Sequence, residues 1–150
     1  MHLTWLRSDL RIDDNTALSA TTERGPTIAL WLVSPGQWQA HDDAACKVDF
    51  WLRSLRDLRQ SLEGLNIPLL IRKIDTWEQA PQAVLEVCRQ HQVASVHWNE
   101  EYGINEQRRD DATRALLEKS GIQAHSHLAQ LFFRPGTLLT RSGAYFQVFS

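Results

Sequence analysis

The stretch Thr27-Ile28-Ala29-Leu30-Trp31-Leu32-Val33 carries six consecutive apolar residues and stops at Ser34-Pro35-Gly36. A strand with one wet face alternates apolar and polar residues, so this run predicts a strand buried on both faces, the kind found inside a parallel sheet. The Pro-Gly pair behind it predicts a turn. Toward the amino terminus, His2 to Leu6 predicts a first short strand. The polar run Arg7 to Asn15 then leads into a small helix, Thr16 to Thr21, with Asp14 or Asn15 placed to cap it. Toward the carboxyl terminus, Val48, Trp51, Leu52, Leu55, Leu58, Leu62 and Leu65 recur at steps of three and four. Arg53, Arg56, Asp57, Arg59 and Glu63 take the other side, which predicts a long amphipathic helix ending near Gly64.

The same alternation then repeats. Ile67 to Ile74 predicts a buried strand with Pro68 at its start, and Glu78 to His91 a helix turning Ala80, Val84, Val87 and Cys88 inward. Val93 to Trp98 follows as a strand and Ile104 to Lys119 as a helix with Ala112, Ala115 and Leu116 facing in. Gly121 ends that helix, and Ile122 to His127 is a last strand. Five strands alternating with four helices require parallel strands joined by right-handed crossovers. The expected fold is therefore α/β: a doubly wound, Rossmann-like five-stranded parallel sheet of order 3-2-1-4-5 with helices on both faces. From Leu128 the rhythm is lost, with a turn at Phe132-Phe133-Arg134-Pro135-Gly136 and no helical period from Thr137 to Phe149. Residues 1–130 are read as one domain and 131–150 as the start of a connector. The apolar Tyr145 to Ser150 calls for something to pack against, so a larger parent protein is expected.

Composition narrows the function classes. A chain of 150 residues and 17.2 kDa buries about 70% of the surface its unfolded form exposes, enough for a real core. With 43% hydrophobic and 23% charged residues it is neither disordered nor of low complexity. The longest apolar run, Ile28 to Val33, is far short of the roughly 20 residues that span a bilayer. Met1 to Leu6 has no basic leader and is followed by Arg7 and Asp9, so no secretory signal is read and a cytoplasmic location is expected. The 16 Lys and Arg against 18 Asp and Glu leave a net charge of −2, a poor footing for a domain whose main task is gripping phosphates. Cys46 and Cys88 form neither a CxxC pair nor a zinc motif and are expected to be buried, reduced thiols.

In an open parallel sheet, ligands bind beyond the carboxyl ends of the strands, near the point where strand order reverses. The polar residues there are Arg7, Asp9 and Arg11; Ser34, Gln37, Trp38 and His41; Asp75; and Asn99, Glu100 and Glu101, with Asn105 and Glu106 on the next helix. No GxGxxG follows the first strand and no GxxxxGK[ST] occurs, so a nucleotide-binding module of either kind lacks its phosphate cradle. His125-Ser126-His127 could put two imidazoles on one face of a strand, but further ligands at suitable spacing are missing, and no metal site is expected. Ser34, Cys46 and Cys88 lack the setting of a nucleophile. The run Arg7-Ser8-Asp9-Leu10-Arg11-Ile12-Asp13-Asp14-Asn15 reads either as an ion-pair lattice fixing the first loop or as part of a domain interface.

Trp5-Leu6-Arg7-Ser8-Asp9-Leu10-Arg11-Ile12-Asp13-Asp14-Asn15-Thr16-Ala17-Leu18 resembles the opening signature of the DNA photolyase and cryptochrome family, W-F-R-x-D-L-R-x-x-D-N-x-A-L. It departs at Leu6, where Phe is usual, and the change keeps an apolar position. Pro35-Gly36-Gln37-Trp38 with His41, Ile67 to Leu70, Tyr102-Gly103-Ile104-Asn105-Glu106 through Arg109-Asp110, and Tyr145 to Phe149 resemble bacterial folate-type class I cyclobutane pyrimidine dimer photolyases in the same order. The resemblance covers essentially the whole chain. It implies the amino-terminal light-harvesting domain of a two-chromophore repair enzyme, acting as a monomer on damaged DNA. An antenna, 5,10-methenyltetrahydrofolate, would pass excitation to reduced FAD in a helical domain, where an electron given to a flipped-out dimer splits it and then returns. On that reading no catalytic residue lies in these 150 residues. The alternative within the same family is a cryptochrome blue-light receptor that signals without repair.

The resemblance also implies a set of cofactor residues: Asn105 and Glu106 match a folate-contacting Asn-Glu pair, His41 a histidine near the same cofactor, and Trp38 a pocket wall. The chemistry is apt, because a pterin presents an exocyclic amine beside a ring N–H, a donor pair that one carboxylate accepts in bidentate fashion. Read without the resemblance, Glu106 is equally a first-turn glutamate favoured by the helix dipole and Asn105 a cap.

Overall fold

The computed structural model describes residues 1–145. Its strands are β1 (His2–Leu6), β2 (Thr27–Val33), β3 (Leu69–Lys73), β4 (Ser95–Asn99) and β5 (Gln123–His127). The helices are α1 (Thr16–Thr22), α2 (Pro35–Ala40), α3 (Ala45–Gly64), α4 (Ala80–Gln90) and α5 (Ile104–Lys119), with a single 3-10 turn at Trp77–Gln79. All strands are parallel, in the expected order β3-β2-β1-β4-β5. Strand order reverses at β1, whose residues pair with Thr27–Trp31 on one side and with Ser95–His97 on the other.

Each inner strand is buried on both faces, and the sheet separates two cores. Leu3, Trp5, Ile28, Leu30, Val96 and Trp98 point toward α4 and α5, where Val84, Leu85, Val87, Cys88 and Leu117 meet them. Leu6, Ala29, Trp31 and Leu69 point the other way, toward Leu18 of α1 and Leu55, Leu58 and Leu62 of α3. This is the physical content of the unbroken run in β2: its alternate side chains serve different cores.

Four readings of the sequence need correction. Ser34-Pro35-Gly36 is not a bare turn but opens α2, with Pro35 at the first position of the helix, where its missing N–H costs nothing. In α3, only Leu55, Leu58 and Leu62 are buried, while Leu52 and Leu65 are exposed. For Leu52 the reason is length, whereas Leu65 lies past the last helical residue: a 20-residue helix is about 30 Å long, and the seven residues of β2 span about 23 Å. The amino-terminal half of α3 therefore overhangs the carboxyl edge of the sheet. In α5 the inward residues are Arg109, Asp110, Thr113 and Leu117, and Ala112 and Ala115 lie exposed. Charged residues hold the inner face because they pair there, as described below. Cys46, near the start of the overhang, is exposed, whereas Cys88 is buried as expected.

The described part of the connector, residues 128–145, has no helix or strand. Of the apolar stretch Tyr145 to Ser150, all but Tyr145 lies outside the described residues. No helix among the described residues is long and apolar enough to cross a membrane.

Candidate functional site

The polar run after β1 folds into a buried lattice centred on Asn99, the last residue of β4. The Asn99 amide donates to Asp9 Oδ2 at 2.6 Å and to Asn15 Oδ1 at 2.8 Å, and its oxygen accepts from the Ala17 N–H at 3.0 Å. Asn15, rather than Asp14, is the cap of α1, accepting from the Leu18 N–H. Asp9 Oδ1 accepts from the Arg7 N–H, and the Arg7 guanidinium donates to Asn99 O and to Asp110. Of the two readings of this run, the lattice is what the geometry displays.

Above the lattice sits a two-by-two charge cluster. Arg109 Nη2 contacts both Glu101 and Asp110 at 2.8 Å, and Arg7 lies 3.3 Å from Asp110 and 3.9 Å from Glu101. Burial pushes the Glu101 carboxyl up, but Arg7 and Arg109 outweigh it and hold Glu101 below the ordinary range. Asp110 comes out on the other side: burial prevails over the same two arginines and leaves its carboxyl raised. The Arg109 guanidinium is stacked between the Trp5 and Trp77 rings, at 5.1 and 4.7 Å from their centroids.

Beside this cluster, at the carboxyl ends of β1 and β2, lies a cavity of about 420 Å³. Five of the six tryptophans line it: Trp5, Trp31, Trp38, Trp51 and Trp77. Trp38 bridges its neighbours, 6.3 Å from Trp31 and 6.0 Å from Trp51, so α2 and the overhanging end of α3 form one indole wall. The opposite wall is the 3-10 turn, held by Gln37. The Gln37 N–H donates to Asp75 O, its side-chain oxygen accepts from the Trp77 N–H at 3.3 Å, and its amide nitrogen is 2.7 Å from His41 Nε2. That leaves the His41 and Trp77 rings 5.8 Å apart at the cavity. Gly36 is what permits this approach, since a Cβ there would sit 2.5 Å from Asp75 Oδ1 and 2.9 Å from its backbone oxygen.

Trp38, His41 and Glu106 are thus brought together in one lining, as are Arg7, Ser34, Gln37 and Glu101. Asn105 is not among them: it is exposed on the first turn of α5. Nor is it the cap, which is Gly103. The Glu106 carboxylate folds back so closely over Gly103 that a Cβ on that residue would collide with it. Arg11, Asp75 and Glu100 lie outside the lining, and Asp9 and Asn99 support it from the lattice. The sequence reading missed Trp5, Trp31, Trp51, Trp77, Lys47 and Arg109. The signal available was the placement of Trp5 and Trp31 within the last residues of their strands, the edge where such folds place ligands. Among the described residues, no group of three His, Cys, Asp or Glu side chains is arranged to hold a metal ion.

A protein-family model described as DNA photolyase matches residues 2–150. The chain belongs to the DNA photolyase family. It is 34% identical to the deoxyribodipyrimidine photo-lyase of Vibrio cholerae over 151 residues, covering 100% of this chain and 32% of that protein. The chain spans about a third of the length of the curated photo-lyases it matches. Its fold superposes on an archaeal photolyase from Sulfolobus tokodaii, whose structure holds two FAD molecules, with a TM-score of 0.78 and 25% identity, over 93% of this chain and 31% of that one. A bacterial class III photolyase from Agrobacterium tumefaciens gives 0.76 and 27% identity, over 97% and 29%. In this photolyase-family chain the signature residues Trp5, Arg7, Asp9, Asn15, Ala17 and Leu18 are all buried. They build the lattice and the indole floor, so the motif specifies the carboxyl edge of the sheet.

Proposed function

We propose that the chain is the light-harvesting domain of a deoxyribodipyrimidine photolyase that repairs ultraviolet-damaged DNA, and that the indole-walled cavity is its antenna site. The observation that carries this reading is the cavity itself: about 420 Å³, within the range of small-molecule sites, with planar aromatic walls and three half-buried carboxylates, of which Asp43 pairs with Lys47 and Glu101 with Arg109, while Glu106 has no ion pair among the described residues. That donor set suits methenyltetrahydrofolate. Trp38 and His41 would flank the pterin, Glu106 would accept its paired N–H groups, and Asn105 would meet the part that projects past the rim. When bound, such a folate supplies absorption in the near ultraviolet and blue.

On this reading residues 1–130 form the antenna domain and 131–150 begin the connector to a helical domain holding FAD. Damaged DNA is contacted there as well, in keeping with the net charge of −2 here. The 150 residues alone are then inactive in repair, and the protein works as a cytoplasmic monomer.

The test is light-dependent splitting of thymine dimers by the full-length protein, with a dark control and Glu106→Ala beside wild type. Repair in light only, slower in the variant under limiting blue light and equal at saturating light, is the expected result. Equal rates for both at limiting light would remove Glu106 from the antenna site. No repair by the flavin-loaded protein would replace the enzyme with a light receptor. Mass spectrometry of the extracted chromophore decides between folate and a second flavin as the occupant.

A further inference from the structure

Four of the six histidines meet on the α1 side of the sheet, away from the indole cavity. His2 Nδ1 is 2.8 Å from Ser95 Oγ, Ser95 Oγ is 3.0 Å from His97 Nε2, and His97 Nδ1 is 3.0 Å from His127 Nε2. The His97 and His127 ring planes are 12° apart with their centroids at 5.2 Å, and their facing nitrogens are within hydrogen-bond distance. The His125 ring lies 4.7 Å from that of His97. One line of hydrogen bonds therefore crosses from β1 through β4 to β5.

The link between His97 and His127 works only while one of the two facing nitrogens keeps a lone pair. If both rings are charged, two N–H groups confront each other across 3.0 Å with nothing between. The surroundings do little to soften that. Arg24 follows α1 and opposes charge on His2's neighbours His97, His125 and His127, the amino terminus opposes it on His2, and Arg114 of α5 opposes it on His125. Glu100 favours charge on His127. His97 itself is 1% exposed, so water cannot take over its hydrogen bonds.

The element that would yield is β5. Among the described residues it pairs with β4 alone, at the edge of the sheet, and none of its five residues is fully buried. It also leads directly into the connector at residue 128, whose start is held by a Thr16 hydroxyl bond to Leu128 O and by the Arg134–Glu100 ion pair.

We propose that His97, His125 and His127 form a proton-operated latch on β5: uncharged, they tie the edge strand to the sheet, and on mild acidification they release it together with the connector that follows. Burial first, and then the neighbouring imidazoles, push His97 down to about 4, and burial likewise lowers His125 and His127. A released strand protonates near the ordinary value of about 6.5. The attached state therefore has its full advantage above that value and loses it as pH falls toward 4. The latch is independent of what the indole cavity binds.

Hydrogen exchange on the intact protein, followed by mass spectrometry of the peptide containing β5, tests this between pH 7.5 and 5.5. After correction for intrinsic exchange, protection of β5 is expected to fall about tenfold or more relative to β2, since one linked proton changes an opening equilibrium tenfold per pH unit. In His125→Gln with His127→Gln, where the amides can hydrogen bond but not titrate, that relative fall is expected to shrink well below the wild-type value, since His97 alone of the three is left to titrate. His125→Gln alone should show a smaller fall than wild type, which keeps the test alive if the double variant does not fold. Parallel loss in β5 and β2 of the wild type, or an undiminished fall in the variants, overturns the latch.

Discussion

Asn99 shows how much one side chain can carry in this fold. Fully buried at the end of β4, it ties together the loop after β1, the cap of α1 and the first N–H groups of that helix. Asn99→Leu keeps the number and branching of side-chain heavy atoms but removes the short bond to Asp9 Oδ2 and leaves the Ala17 N–H without its acceptor. It should cost about 3 kcal/mol in urea unfolding, because stranded buried polar groups bear their full desolvation penalty. A loss below about 1 kcal/mol would mean that water reaches the lattice. Asn99 was legible as a strand-end residue but not as the hub, since no local pattern pairs positions 9, 15 and 99. That Glu106, His41 and Trp38 share one cavity lining was legible through their resemblance to positions of one family site. Asn105 was read with Glu106 through the same resemblance; neighbours on a helix point about 100° apart, and Glu106 alone of the two is in the cavity lining.

At the scale of elements, a capping signal located α1 and hydrophobic period located α3, α4 and α5, and the period failed where burial is bought with ion pairs. The inner face of α5 holds Arg109 and Asp110, which no apolar template selects, and the exposed Ala112 and Ala115 drew the reading to the wrong side. In α3 the template was right for Leu55, Leu58 and Leu62 and wrong for Leu52 in the overhang and for Leu65 just past the end of the helix. Two substitutions separate the anchored part from the overhang. Leu62→Ala, at a fully buried site, should lower stability by about 2 to 5 kcal/mol. Trp51→Ala, in the half-buried overhang, should cost less than Leu62→Ala while weakening chromophore retention on gel filtration. The element α2 escaped notice because six residues around Pro and Gly carry no period. Its position depends on Gly36, so Gly36→Val should push it off Asp75, remove the Gln37 bridge to Trp77 and His41, and lower chromophore binding. Unchanged occupancy in that variant would show that the Gln37 bridge does not shape the cavity.

For the whole molecule, strand order and the two-sided core followed from strand and helix alternation, because right-handed crossovers leave few arrangements open. The cysteines provide a direct check on that core. Cys46 is exposed, while burial pushes the Cys88 thiol up to about 12 beneath the sheet. A thiol reagent should therefore label one site per folded chain and two in denaturant, and rapid labelling of both without denaturant would contradict the packing of α4. What composition could not convey is that the tryptophans gather at one edge, since they come from strands, helices and a turn far apart in sequence.

The overhang of α3 has a consequence for how such a domain can change. Leu55, Leu58 and Leu62 anchor the helix, and Lys47 and Trp51 shape the cavity from the overhang, where Trp51 packs only against the margin of the core. Anchoring and fitting are thereby assigned to separate turns of a single helix. A differently shaped occupant can be accommodated by rewriting the overhanging turns, at little cost to the framework that holds them.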